Sequence, residues 1–137
     1  MPELARPARG LLDTSVVIDL EKLDPKDLPA EVAISAVTLA ELTAGPNATA
    51  DPDEASRRQD RVQRTEAAFD PIAFGAEAAR AYGRVFAAVA SAGRKPRGAR
   101  AVDLLIAAVA VAEGLPLYTR NGADFASLES LLTIIEV

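Results

Sequence analysis

The sequence predicts an α/β domain in which helices cover both faces of a parallel sheet. Short apolar runs of strand length alternate with longer stretches of helical spacing, the pattern of successive βαβ units. The connecting segments are short, and neither an internal repeat nor a low-complexity block divides them, so residues 1–137 read as a single domain. A chain of 137 residues, half of them apolar, can bury roughly two thirds of its unfolded surface, enough for a core without disulfides.

The elements follow in order. Gly10 to Leu12 is long enough only for a strand, and helical spacing then runs through Val16, Val17, Leu20 and Leu23. Asp24, Pro25 and Pro29 make a turn before a second strand, Val32 to Ser35, and a helix from Ala36 to Ala44 that Gly45 and Pro46 stop. Pro52 to Phe69 is rich in charges and helix formers, with Asp51 as its N-cap, and predicts a long solvated helix. Pro71 to Phe74 reads as a short strand and Glu77 to Ala92 as a helix ended by Gly93. A basic loop, Arg94 to Gly98, leads into the apolar helix Arg100 to Glu113, closed by Gly114. Leu115 to Thr119 is the next strand, Asn121 and Gly122 a turn, and Thr133 to Val137 the last strand.

Composition narrows the chemistry before any site is chosen. With no Cys and no His, the chain offers no thiol nucleophile, no imidazole base, no Ser-His-Asp triad and no ordinary zinc site. Carboxylates, hydroxyls and bound cations remain. The longest apolar run, Leu104 to Ala112, is about half of what a membrane-spanning helix needs, and the first residues do not resemble a secretory signal. A cytoplasmic protein is the expectation. The formal charge of −5 argues weakly against a polyanionic partner.

In parallel sheets, ligands bind beyond the carboxyl ends of the strands, which directs attention to acids at those ends. Asp13 directly follows the first strand, where it serves either a site or the N-cap of the next helix. Glu41 stands among Val37, Leu39, Ala40 and Leu42, where a charge needs a cavity or a partner; a capping box with Thr38 is the alternative, although Ser35 is the better helix start. Asp103 is the one charge between Arg100 and Glu113 in a helix apolar all round, so it must be paired with Arg100 or turned to some other use. Asp124 either joins it or caps the segment beginning at Phe125. If these acids share an edge, like charges about 4 Å apart cost on the order of 4 kcal/mol per pair and call for cations. Oxygen-only ligation selects Mg²⁺ or Mn²⁺.

The stretches LLDTSVVID, SAVTLAEL, RAVDLLIAAVA and LYTRNGADF resemble, in order and over nearly the whole chain, the four acidic motifs of PIN-domain ribonucleases, in particular the VapC-type toxins of prokaryotic toxin–antitoxin pairs. The resemblance implies a PIN-like parallel-sheet fold and a metal site built from Asp13, Glu41, Asp103 and Asp124, supported by Thr14, Ser35, Thr119 and Asn121. None of the four acids departs from the pattern. It further implies RNA as substrate, a VapB-type antitoxin as partner and a homodimer. Such a site hydrolyses phosphodiesters without a protein nucleophile, one cation activating water and another stabilising the departing oxygen. Replacing Asp13 or Asp103 by Asn is expected to stop cleavage and leave metal-free stability equal or higher.

Two basic groups are placed to meet RNA. Arg94, Lys95, Arg97 and Arg100 surround the loop before the Asp103 helix without an intervening acid, and are the candidates for phosphate contact. Arg57, Arg61 and Arg64 share a helix face interrupted by Asp60, which suits a solvated, dimer or antitoxin surface equally. Val85, Phe86 and Val89 belong either to the core or to a dimer face. Competing readings have weaker support: a dehalogenase-type phosphatase needs an acid where Ser15 stands, and a receiver domain needs paired acids and a late Lys. A catalytically silent RNA- or protein-binding module, its acids forming only a structural network, is the remaining alternative.

Overall fold

The computed structural model describes residues 7–95 and 98–137. Four strands, β1 (Arg9–Leu12), β2 (Glu31–Ala33), β3 (Leu117–Thr119) and β4 (Ile134–Glu136), form one sheet in the order β2-β1-β3-β4, all parallel. Five helices accompany them: α1 (Thr14–Ile18), α2 (Ala36–Ala44), α3 (Pro52–Ala68), α4 (Ala76–Ser91) and α5 (Ala99–Glu113). After β1 the chain adds β2 on one side and later β3 on the other, so the strand order reverses at β1.

Strand alternation explains why both faces are covered. Leu11, Ala33 and Leu117 point to one face, into a core with Val85 and Val89 of α4 and Leu104, Ile106 and Val109 of α5. Their chain neighbours Leu12, Ile34 and Tyr118 point to the other, against Val16 and Val17 of α1, Leu42 of α2 and Val62 of α3. Adjacent residues of one strand thus serve different cores, which a parallel sheet requires. Val85 and Val89 are core, whereas Phe86 is exposed beside Tyr82. The polar α3 buries only Val62 and Thr65.

Three elements differ from expectation. Pro71 to Phe74 is not a strand but an isolated bridge, in which Ile72 exchanges two backbone bonds with Ile34 and Ala36 at 2.9 and 2.8 Å. Pro71 has no N–H to extend the ladder, and Gly75 already caps α4. The first helix begins earlier than its apolar spacing suggested, at Thr14, because Asp13 caps it; it ends at Ile18 and resumes as a 3-10 turn at Leu20–Lys22. The segment Gly122–Leu128, read from sequence only as a turn, is a 3-10 helix that buries Phe125 and Leu128.

Candidate active site

The strand-order reversal places the ends of β1 and β3 side by side, and Asp13 and Thr119 meet there. Asp13 is 4% exposed, and a carboxylate so buried demands donors. Thr14 N–H donates to Oδ1 at 2.8 Å, while the hydroxyls of Ser15 and Thr119 donate to Oδ2, each at 2.9 Å. Asp13 is therefore the N-cap of α1, and capping does not take it away from the strand-end edge where the other acids gather. The hydroxyls are themselves held: Thr119 Oγ1 accepts from Asn121 N–H at 3.0 Å and Ser15 Oγ from Arg120 N–H at 3.1 Å.

Glu41 reaches the same edge from α2, exposed at its rim. Thr14 donates its hydroxyl to Glu41 Oε1 at 2.5 Å, which leaves Thr38 to donate to Thr14 Oγ1 across 3.0 Å. Ser35, not Thr38, caps α2, accepting from Thr38 N–H at 3.1 Å, so the capping-box reading of Thr38 and Glu41 does not hold.

Asp103 comes from the first turns of α5. Its carboxyl is pushed up to about 6 by burial first and then by the charges of Asp13, Glu41 and Asp124, against the pull of Arg100. The four acids thus lie within electrostatic reach of one another, although they are separated by up to 111 positions, 124 − 13, in the chain. No ion pair joins Asp103 to Arg100 among the described residues. Arg100 donates instead to the backbone carbonyl of Asp124 at 3.2 Å. Asp124 is exposed in the first turn of the 3-10 segment, whose N-cap position belongs to Asn121, so Asp124 is not its cap.

Two hydroxyls that were not named with the supporting residues also join the hydrogen-bond network around Asp13 and Glu41, those of Ser15 and Thr38; Ser15, two residues after a strand-end Asp, was the legible one. Asn121 contributes its backbone N–H rather than its side chain. Of the basic loop, Arg94 donates to the Ala123 carbonyl at 3.1 Å and Lys95 is exposed; Arg97 lies outside the described residues.

Among the described residues, no three carboxylates close to metal-ligating spacing. The donor chemistry nonetheless restricts what would fit: carboxylate oxygens alone, no thiolate and no imidazole, suit a hard divalent cation. A parallel sheet with an acidic cluster at its strand-order reversal defines the class. Residues 10–131 match the PIN domain, and the chain belongs to that family, whose ribonucleases are metal-dependent. More particularly, it is 37% identical over 131 residues, 93% of each chain, to ribonuclease VapC5 of Mycobacterium tuberculosis. The crystal structure of VapBC-5 from that organism, a member of the VapBC family of toxin-antitoxin systems, matches with a TM-score of 0.84 and 38% identity over 96% of this chain and 100% of that one. A DNA-bound VapBC structure from Salmonella typhimurium matches at a TM-score of 0.70 and 25% identity over 93% of this chain and 97% of that one.

Proposed function

We propose that this chain is an endoribonuclease that hydrolyses RNA phosphodiester bonds with Mg²⁺ or Mn²⁺ held by Asp13, Glu41, Asp103 and Asp124, and that it is the toxin of a VapBC pair. The observation that carries the reading is that Asp13, Glu41 and Asp124, from three distant segments, come near enough to Asp103 for their charges to add to burial in raising its carboxyl. The ribonuclease and toxin–antitoxin relatives support the substrate class and the biological setting.

A divalent cation in this cluster supplies an activated water and neutralises charge on the phosphodiester. The chain's own residues prepare for it. Ser15 and Thr119 aim one oxygen of Asp13 and the Thr14 amide aims the other, while the Thr14 hydroxyl orients Glu41. Asp103 and Asp124 receive no side-chain donor among the described residues, which leaves their oxygens to a cation. The guanidinium N–H groups that Arg94 and Arg100 do not spend on the Ala123 and Asp124 carbonyls are available for phosphate contact, and Lys95, an exposed cation of the basic group read from sequence, would join them.

A groove of about 540 Å³ between α2 and α5, walled by Val37, Ala40, Phe74, Val102 and Leu105, runs up to Glu41. It suits an antitoxin segment with an apolar face and a basic side chain at the acids. A homodimer completes the proposed assembly. Among the described residues no helix is long and apolar enough to cross a membrane, and the cytoplasmic setting is part of the proposal.

The test is cleavage of RNA by the purified protein with Mg²⁺ or Mn²⁺. Cleavage lost in chelator and in both Asp13→Asn and Asp103→Asn supports the reading. Undiminished cleavage by Asp13→Asn overturns it. RNA binding with no metal-dependent cleavage points instead to a silent binding module.

A further inference from the structure

The turn that presents Asp124 is gripped from β4, from α5 and from the loop between α4 and α5, and the grip has a consistent polarity. Glu136, at the end of β4, accepts the Gly122 N–H on Oε1 at 2.7 Å. Arg94 and Arg100 donate to the next two carbonyls, those of Ala123 and Asp124. An anion thus meets the exposed amide and two cations meet the exposed carbonyls of one short 3-10 turn. Glu136 lies at the same carboxyl edge as the four acids, paired in register with Thr119, yet it is not among the charges that raise Asp103. Its carboxylate is spent on the turn.

We infer that Arg100 and Glu136 are positioning residues that clamp the Gly122–Asp124 backbone from opposite ends, so that the exposed Asp124 side chain is held toward Asp103. The inference rests on the reading of Asp124 as a cation ligand. It changes the role given to Arg100, which acts on the site through a backbone carbonyl besides any contact with RNA. Arg100 also bridges two segments, since it stands one turn before Asp103 on α5 while holding the Asp124 carbonyl. Gly122 belongs to the same device. A Cβ there would stand 2.8 Å from Glu136 Oε1, so a methyl group would force that carboxylate to shift from its place on the amide without altering any charge.

Charge and position predict opposite outcomes at Arg100, which makes the clamp testable with Mn²⁺ alone as probe. Removing a cation near an acidic site strengthens Mn²⁺ binding if only its charge matters. Loss of positioning instead weakens it, on the order of tenfold, as for other residues that orient metal ligands. Calorimetric Mn²⁺ titration of the full chain, with kcat and KM for RNA cleavage, is therefore run on Arg100→Ala, Glu136→Ala, Glu136→Gln, Gly122→Ala and Asp124→Asn. Weaker Mn²⁺ binding and lower kcat in Arg100→Ala, Glu136→Ala and Gly122→Ala, with recovery in Glu136→Gln, which keeps an acceptor oxygen while losing charge, support the clamp. Tighter Mn²⁺ binding in Arg100→Ala, a rise in KM alone, or unchanged binding in Glu136→Ala and Gly122→Ala overturns it. If Asp124→Asn itself leaves Mn²⁺ binding and cleavage unchanged, the ligand reading of Asp124 falls, and the clamp with it.

Discussion

Neutralising Asp103 removes a half-buried charge that three neighbouring acids oppose, whereas neutralising Asp13 breaks a set of bonds made to its charge. The two substitutions therefore differ in stability, although the sequence had suggested the same result for both. In the folded protein the Asp103 carboxyl titrates at about 6 against an ordinary value of 3.8, so between those values the folded state binds more protons than the unfolded one. Its contribution to stability is full below 3.8 and is lost as pH rises through about 6. In chelator, Asp103→Asn should accordingly melt higher than the parent chain at pH 8, the gap closing toward pH 4 in thermal scans. Asp13→Asn should melt lower, by an equivalent of about 1–3 kcal/mol. An asparagine keeps one acceptor for the Thr14 amide, but its NH₂ faces the Ser15 and Thr119 hydroxyls. Each of those oxygens already accepts a backbone N–H.

Elements deliver these side chains, and their ends matter more than their middles. Asp13 caps α1, Ser35 caps α2, Thr119 closes β3 and Asp124 opens a 3-10 turn. Ser35→Ala should cost about 1 kcal/mol by the loss of the α2 cap, measured by denaturant unfolding. It should also lower Mn²⁺ affinity, because the Ser35, Thr38 and Thr14 hydroxyls lead in sequence to Glu41. Element types were legible because apolar spacing and Gly or Pro stops are local signals: α2 begins and ends where Ser35 and Gly45 place it. Pro71 to Phe74 was misread because a run of apolar residues says nothing of ladder length; a single bridge at Ile72 satisfies the local backbone.

At the scale of the whole molecule, the sheet works because adjacent strand residues serve opposite cores, and one close fit lies where β1 runs alongside β3. A Cβ at Gly10 would overlap the Tyr118 ring, which is 2% exposed and bounded by Pro29 and the second core. Gly10→Ala should cost about 1–3 kcal/mol through overpacking, read from urea unfolding. Since Tyr118 immediately precedes Thr119 and its carbonyl accepts Asp13 N–H at 2.8 Å, metal-dependent cleavage should fall with it. Pairing of β1 with β3 is thus structural support and site geometry together.

The amino-acid sequence by itself determined the type of chemistry: no Cys or His, acids at strand ends and on an apolar helix, and an alternation that makes a parallel sheet. Those properties reside in residue identity and short spacing, which need no knowledge of neighbours in space. Tertiary structure decided which groups serve the acids. Thr119 reaches Asp13 across a sequence separation of 106, Arg100 spends a donor on a carbonyl near Asp103, and Glu136, a fifth acid at the same edge, holds an amide. Hydrogen-bond partnership depends on distances and directions set by the packed sheet, and a side chain's name carries neither.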